Sequence, residues 1–353
     1  MRSKQKVFVG MSGGVDSSVA CALLLEQGYE VEGITLKLCE SAEKCGSGEF
    51  EDAINMAKLL GIKHHIIDET KLFKEKITDY FTNTYLEGKT PNPCIMCNKH
   101  IKFGAMREHV RRLGGDFIAT GHYAKIEHDG HGYHLKKAPT DKDQSYFLYR
   151  LNEDALAKTL FPLSGLIQNG QLSKADVRAA AERYGLPVSS KPDSQDICFI
   201  PDGKYADFVK KNSGIEAAQG DFVDISGNLL GRHNGIFGYT VGQRKGLGLS
   251  SVAPLYVKEI DVISNKITLC EEKELYSKRL TAENISFINQ SEILPRMKVL
   301  AKPRYRAPAA EALMTVHDNF IEVDFDVPQR AVTPGQSVVI YNGDIVLGGG
   351  VIV

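Results

Sequence analysis

The stretch Val7-Phe8-Val9-Gly10-Met11-Ser12-Gly13-Gly14-Val15-Asp16-Ser17-Ser18-Val19-Ala20 decides the fold. Val7 to Met11 is a short apolar run of strand type. Val19, Ala20, Leu23 and Leu24 then recur at helical spacing before Gly28, where a left-handed C-terminal cap belongs. Between them Ser12-Gly13-Gly14-Val15-Asp16-Ser17 closes a strand and opens a helix. Such a turn aims backbone N–H groups and the positive end of the helix dipole at an anion, and its glycines let backbone approach closely. Two glycines flanked by hydroxyls exceed what an ordinary connection needs, so the pattern points to a phosphate site. It is not a Walker A loop, because no Lys follows a second Gly; Gly88-Lys89-Thr90 fails too, with Asn83 where the first Gly must stand. No G-x-G-x-x-G follows a strand, which argues against a dinucleotide oxidoreductase.

Outward from this turn, Val31 to Leu38, His65 to Ile67 and Phe117 to Ala119 read as strands, and Phe50, Ala53, Ile54, Ala57 and Leu60 as a helix ended by Gly61. Strand and helix alternate, as in a parallel sheet covered on both faces. A further helix is expected from Gln171 to Tyr184, closed by Gly185 and Pro187, before a loop from Ser189 to Gly203. After Tyr205 the β-formers dominate. Ile321, Val323, Phe325 and Val327 alternate with acidic neighbours, Pro334-Gly335 marks a turn, and Tyr341-Asn342-Gly343-Asp344 a hairpin. The expected architecture is α/β: a parallel-sheet catalytic domain over residues 1–204, a small β-rich central domain over 205–275, and an antiparallel β-barrel over 276–353.

A chain of 353 residues fits two or three domains of about 150. Lys and Arg number 43 against 44 Asp and Glu, so no bulk positive field draws nucleic acid or an anionic membrane, and only local basic patches remain. No apolar run approaches the ~18 residues that span a bilayer, and the run after Met1 to Lys6 is too short for a signal peptide. Seven cysteines are too sparse for a disulfide scaffold, and the odd count leaves one unpaired. These features predict a cytoplasmic protein in a reducing compartment, without membrane partners.

Cys21 and Cys270 read as core residues, and Cys39 and Cys45 as thiols flanking a polar loop, with a metal role as the alternative. Cys94 and Cys97 form a C-x-x-C before Phe103, Met106, Val110 and Leu113 at helical spacing. A helix N-terminus with Lys99 and Lys102 nearby should favour thiolate there. Half of a structural zinc site and a redox pair are the other readings. Cys198 lies in Asp193-Ser194-Gln195-Asp196-Ile197-Cys198-Phe199-Ile200, where alone it would be an ordinary half-buried residue.

Ser-Gly-Gly-x-Asp-Ser resembles the PP-loop of the ATP pyrophosphatases, whose domain is of the adenine nucleotide alpha hydrolase-like type. With it come Asn92-Pro93 through Lys102, Ala119-Thr120-Gly121-His122-Tyr123, Lys142-Asp143-Gln144-Ser145-Tyr146, the Cys198 loop, Gly238 through Gly246, Ala331 to Gln336, and Leu347 to Gly350. Together these resemble the tRNA-specific 2-thiouridylases over essentially the whole chain. The resemblance implies ATP with Mg2+, held by Gly10, Met11, Ser12, Gly13, Gly14, Val15, Asp16 and Ser17 with Leu36 and Gly121 near the nucleotide. It implies that the 2-oxygen of a wobble uridine is adenylated and displaced by sulfur from a Cys198 persulfide, with Cys97 as nucleophile forming a transient disulfide. By the same resemblance Asn92, Pro93 and Cys94 meet the target base, while His122, Lys142, Asp143, Gln144, Arg304, Tyr305 and Gln336 meet tRNA. The implied partners are tRNAs for Lys, Glu and Gln, and a sulfurtransferase or cysteine desulfurase as donor.

One departure stands out: many family members carry Asp where this chain has Cys94. It opens a second route in which Cys94, Cys97 and Cys198 hold a [4Fe–4S] cluster. Two readings from other classes are an amide-forming PP-loop synthetase, and a zinc-bearing RNA-binding protein with a vestigial loop. The basic residues Lys99, Lys102, Arg107, Arg111 and Arg112 are candidates for local phosphate contacts.

Overall fold

The strand Lys6–Gly10 (β1) lies at the centre of a parallel sheet in a computed structural model that describes residues 4–39, 49–188, 197–200, 203–216, 218–250 and 253–353. The chain divides into two units, the first made of Met1–Lys76, Cys94–Asp202 and Asp344–Val346. In it β1 leads into helix α1 (Val15–Glu26), strand β2 (Glu30–Lys37), helix α2 (Glu49–Leu59) and strand β3 (His64–Asp68). A helical run follows, made of α3 (Pro93–Cys97), a π-helical stretch Asn98–Ala105 and α4 (Met106–Arg112). Then come β4 (Phe117–Ala119), a hairpin of β5 (Ala124–His128) and β6 (Tyr133–Lys137), β7 (Thr159–Leu160) and helix α5 (Lys174–Arg183).

The sheet order is β3-β2-β1-β4-β7, and every pair is parallel. Val7, Phe8 and Val9 have no solvent exposure, as expected of a central strand covered on both faces. Val19, Ala20, Cys21, Leu23 and Leu24 of α1 join one core with Val7, Val9, Ala53 and Ala57, and with Val177, Ala180 and Ala181 of α5. Burying such side chains is worth about 1.5–3 kcal/mol for each large one, which fixes α1 on the sheet. Chain order reverses between β1 and β4. In open α/β sheets the crevice at the carboxyl ends of such a pair is the ligand position.

The second unit comprises Ile77–Pro93, Gly203–Gly343 and Leu347–Val353. The helix Asp79–Leu86 packs on Tyr205–Ser213: the Phe81 ring lies 5.8 Å from Phe208 edge-on, and Asn212 Nδ2 donates to Thr82 Oγ1 at 2.8 Å. A four-stranded sheet follows, with β8 (Gly220–Val223), β9 (Leu229–His233), β10 (Tyr256–Asp261) and β11 (Lys266–Cys270) in the order β10-β11-β8-β9. Strands β12 (Tyr276–Phe287), β13 (Arg296–Lys302), β14 (Ala310–Val316), β15 (Phe320–Arg330), β16 (Ser337–Asn342) and β17 (Ile345–Ile352) then run in the order β12-β15-β14-β13-β16-β17. Pairing of β12 with β17 closes them into a six-stranded antiparallel barrel. The α/β class, the β-rich middle and the terminal barrel are as the sequence predicts.

Three local expectations need correction, and one hairpin was not foreseen. The helix expected from Gln171 starts at Lys174, because Ser173 forms a capping box with Asp176, while Gln171 pairs with Gln168 in an isolated bridge. Ile321, Val323 and Phe325 are buried, but Val327 is 68% exposed. There the β12 partner jumps from Gln329 to Asp324 between Ser277 and Arg279, and the bulge breaks the alternation. The hairpin β5–β6 had no signal strong enough to predict it. Cys39 is disulfide-bonded rather than a thiol, while Cys45 lies outside the described residues. Cys21 and Cys270 are core residues, as expected. Among the described residues, no helix is long and apolar enough to cross a membrane.

Candidate active site

Gly10 ends β1 opposite Ile34 of β2, and Met11 N–H donates to the Ile34 carbonyl at 2.9 Å. The chain then turns through Gly13, whose φ of +70° suits a residue without Cβ, and enters α1 after Gly14. No side chain of Gly14 can cap α1, so its first-turn N–H groups are left for another acceptor. Ser17 Oγ donates to the Gly14 carbonyl at 3.2 Å and lies 3.4 Å from Ser12 Oγ, so the two hydroxyls stand together across the loop. Leu36, half-buried, lies two positions beyond Ile34 in β2, at the carboxyl end of the sheet.

From the other side of the crevice the β4 loop closes on this turn. A Cβ on Gly121 would stand 2.6 Å from the Asp16 carbonyl carbon and 2.7 Å from Ser17 N, so only glycine allows the two backbones to meet. Tyr123, 2% exposed, donates its hydroxyl to Asp16 Oδ1 at 2.7 Å. Lys174, the first residue of α5, donates to both carboxylate oxygens of Asp16 at 2.8 Å. The sequence reading missed Lys174 and gave Tyr123 no role. Their partner is remote in sequence, 158 and 107 residues away, and no local pattern encodes that pairing.

His122 follows Gly121. Its Nδ1 shares a 2.6 Å hydrogen bond with Thr120 Oγ1, and its ring lies 5.9 Å from both Phe103 and Phe161. Burial in that aromatic setting, with the Lys102 ammonium adding to it, pushes the imidazole well below its usual value and keeps it neutral at pH 7. Asp143 and Gln144 direct their acceptors inward. Asp143 accepts from Ala138 N and Ser145 Oγ, while Gln144 Oε1 accepts from Tyr123 N at 3.1 Å and Gln144 N donates to the Tyr123 carbonyl at 2.7 Å. Lys142 N–H donates to Thr140 Oγ1.

Cys94 and Cys97 lie in the first turns of the helical run, as expected, but the thiolate prediction fails. Desolvation by the surrounding protein pushes the half-buried Cys97 up to about 11 and raises Cys94 too, although the Cys94 side chain reaches the surface, and the opposing effect of the Lys102 ammonium is too weak to reverse either. Cys198 is exposed on a turn whose Phe199 packs edge-on against Phe73 at 5.7 Å and whose Ile200 is buried; residues 189–196 of that loop lie outside the described residues. Cys94, Cys97 and Cys198 are not disulfide-bonded. Among the described residues no three His, Cys, Asp or Glu side chains converge as a metal-holding group. The three cysteines therefore do not fit a [4Fe–4S] cluster as arranged here, and no step is derived through one.

In the second unit Gln336 Nε2 donates to the carbonyls of Thr90 and Pro91 at 2.9 and 3.1 Å, just before Asn92 and Pro93. Arg304 Nη2 donates to the Val241 carbonyl at 2.9 Å and to Thr333 Oγ1. The Tyr305 ring lies 5.3 Å from Lys302 Nζ. In the basic stretch of the first unit, Arg107 pairs with Asp154, and Arg111 and Arg112 with Glu108.

Family models match along the chain: residues 5–202 match a tRNA methyl transferase HUP domain, 206–271 a tRNA methyl transferase PRC-barrel domain, and 277–352 an aminomethyltransferase beta-barrel domain. The tRNA-specific 2-thiouridylase MnmA of Acetivibrio thermocellus is 47% identical over 363 residues, covering 99% of this chain and 99% of the relative. Its namesake in Clostridioides difficile is also 47% identical over 363 residues, covering 100% and 99%. A solved U34-tRNA thiolase NcsA from Methanococcus maripaludis, with its [4Fe–4S] cluster, matches 59% of this chain and 66% of its own at 20% identity and a TM-score of 0.35.

Proposed function

The chain belongs to the tRNA-specific 2-thiouridylases, tRNA-uridine 2-sulfurtransferases of the PP-loop ATP-binding class, and on that premise we propose that it thiolates the wobble uridine through an adenylated base and a cysteine persulfide. The observation that carries this reading is the Ser12–Ser17 loop at the reversal of strand order, closed by Gly121. It offers helix N–H groups and clustered hydroxyls to the phosphates of ATP, which enters as its Mg2+ complex.

Oxide is a poor leaving group, so the 2-oxygen of the uracil attacks the α-phosphate and pyrophosphate departs. The target base must leave its stack for this, and Asn92, Pro93 and Cys94 are proposed to receive it. The terminal sulfur of a Cys198 persulfide then attacks C2, and AMP leaves with the former oxygen. The base stays joined to Cys198 through an S–S bond. Cys97 attacks the Cys198 sulfur, the S–S bond breaks, and 2-thiouridine is released as a Cys97–Cys198 disulfide forms. The two electrons that reduce the transferred sulfur come from the Cys97 and Cys198 thiols, which are oxidised to that disulfide. A dithiol reductant must reopen it, and a cysteine desulfurase or sulfurtransferase must restore the persulfide. His122, Lys142, Arg304 and Tyr305 are proposed tRNA contacts. Asp143 and Gln144 are proposed to serve tRNA binding by bracing the loop that carries His122, and Gln336, in the second unit, by bracing the segment that leads into Asn92. tRNAs for Lys, Glu and Gln are the proposed substrates.

The test incubates the full chain with unmodified tRNA, MgATP, a reductant and a charged sulfur donor, followed by mass spectrometry of the digested nucleosides. 2-Thiouridine at the wobble position is the expected product. Its absence with a donor proven active on another acceptor would defeat the reading.

A further inference from the structure

The ion pair between Lys174 and Asp16 is the feature of the ATP loop that the reaction scheme leaves unused. Asp16 lies in the first turn of α1, where the helix dipole attracts a carboxylate to the same N–H groups that would hold a phosphate. A negative side chain there competes with the ligand twice, by occupying donors and by repelling a like charge. The structure answers both effects. Lys174 Nζ meets Oδ1 and Oδ2 at 2.8 Å each, and the Tyr123 hydroxyl adds a third bond to Oδ1 at 2.7 Å. The Lys174 side chain is only 14% exposed and lies 5.7 Å from the Tyr123 ring centroid. It is the first residue of α5, inside the Ser173–Asp176 capping box, so its backbone is fixed. Tyr123 is held in turn by two hydrogen bonds to Gln144.

We propose that Lys174 is a positioning residue for ATP binding, acting through Asp16: it neutralises that carboxylate and, with Tyr123, ties it away from the donors of the PP-loop. The proposal rests on the reading of this loop as an ATP site. It is read in binding alone, so a failure of thiolation would strike the proposed reaction and not this inference.

The experiment is a double-variant cycle on the full chain, titrating MgATP and, separately, adenosine by calorimetry. Lys174→Met keeps the aliphatic stem beside Tyr123 and removes the charge. It is expected to weaken MgATP binding about tenfold or more and to leave adenosine binding unchanged. Lys174→Arg, which can also donate two hydrogen bonds to a carboxylate, is expected to restore most of the loss. In an Asp16→Asn background, Lys174→Met is expected to cost less than about twofold, because the charge it answers is gone. Equal losses in both backgrounds would mean that Lys174 acts on the nucleotide directly and would overturn the proposal. So would unchanged MgATP affinity in Lys174→Met, or a parallel loss of adenosine binding. If the unaltered chain bound no MgATP, the inference would fall with the ATP reading.

Discussion

Cys97 carries the sharpest consequence at the scale of one residue. Its thiol, pushed up to about 11 by burial, ionises only about one part in ten thousand at pH 7 in the ligand-free protein. The sign follows from the proton count: raising pH toward 11 increases the thiolate, so alkylation of Cys97 by iodoacetamide should rise about tenfold per unit between pH 7 and 10. Peptide mass spectrometry of the alkylated chain reads this, and a rate that levels off near pH 8 would show Lys102 outweighing burial. Cys198, exposed on its turn, should react faster at neutral pH. In the proposed sequence adenylation precedes sulfur transfer, so Cys198→Ser should lose 2-thiouridine formation by about a thousandfold or more while retaining single-turnover, tRNA-dependent pyrophosphate release. Loss of both would tie Cys198 to nucleotide chemistry instead.

At the scale of elements, the β4 loop and the start of α1 are one construction. Gly121→Ala places a methyl 2.6 Å from backbone that has nowhere to go, since Asp16 and Ser17 belong to a helix packed in the core. The expected result is destabilisation of about 1–3 kcal/mol with MgATP binding lost more severely than overall fold, measured by calorimetry beside thermal unfolding. ATP affinity equal to that of the unaltered chain would remove Gly121 from the site. How far these elements were legible follows from how local their signals are. The turn at Ser12 to Ser17, strands β1 to β4 and the Asn342-Gly343 hairpin are written in neighbouring residues, through periodicity, glycine and turn chemistry. The start of α5 depended on the choice of Ser173 over Gln171 as cap. The exposure of Val327 depended on a bulge set by a partner strand, which is invisible from β15 alone. The thiolate expectation failed because it weighed a helix dipole and Lys102 without the burial that only packing creates.

For the molecule as a whole, the formal charge of −1 decides how tRNA can be held. Without a bulk positive field, binding must rest on a few local cations and on shape and hydrogen bonds. The basic stretch is already paired, Arg107 with Asp154 and Arg111 and Arg112 with Glu108. Those carboxylates are exposed and screened by solvent, so exchanging a carboxylate for a phosphate costs little. About two to four phosphate contacts then imply a slope of log affinity on log salt between about −1.5 and −3.5. Filter binding of tRNA should therefore weaken about ten- to a hundredfold between about 50 and 200 mM salt, and Arg107→Ala should make the slope shallower by about one unit. A flat salt response would assign recognition to shape and hydrogen bonding, with the arginines serving only their own ion pairs. A slope near −10, typical of a broad basic face, would require a concentration of charge that 43 basic against 44 acidic residues does not supply.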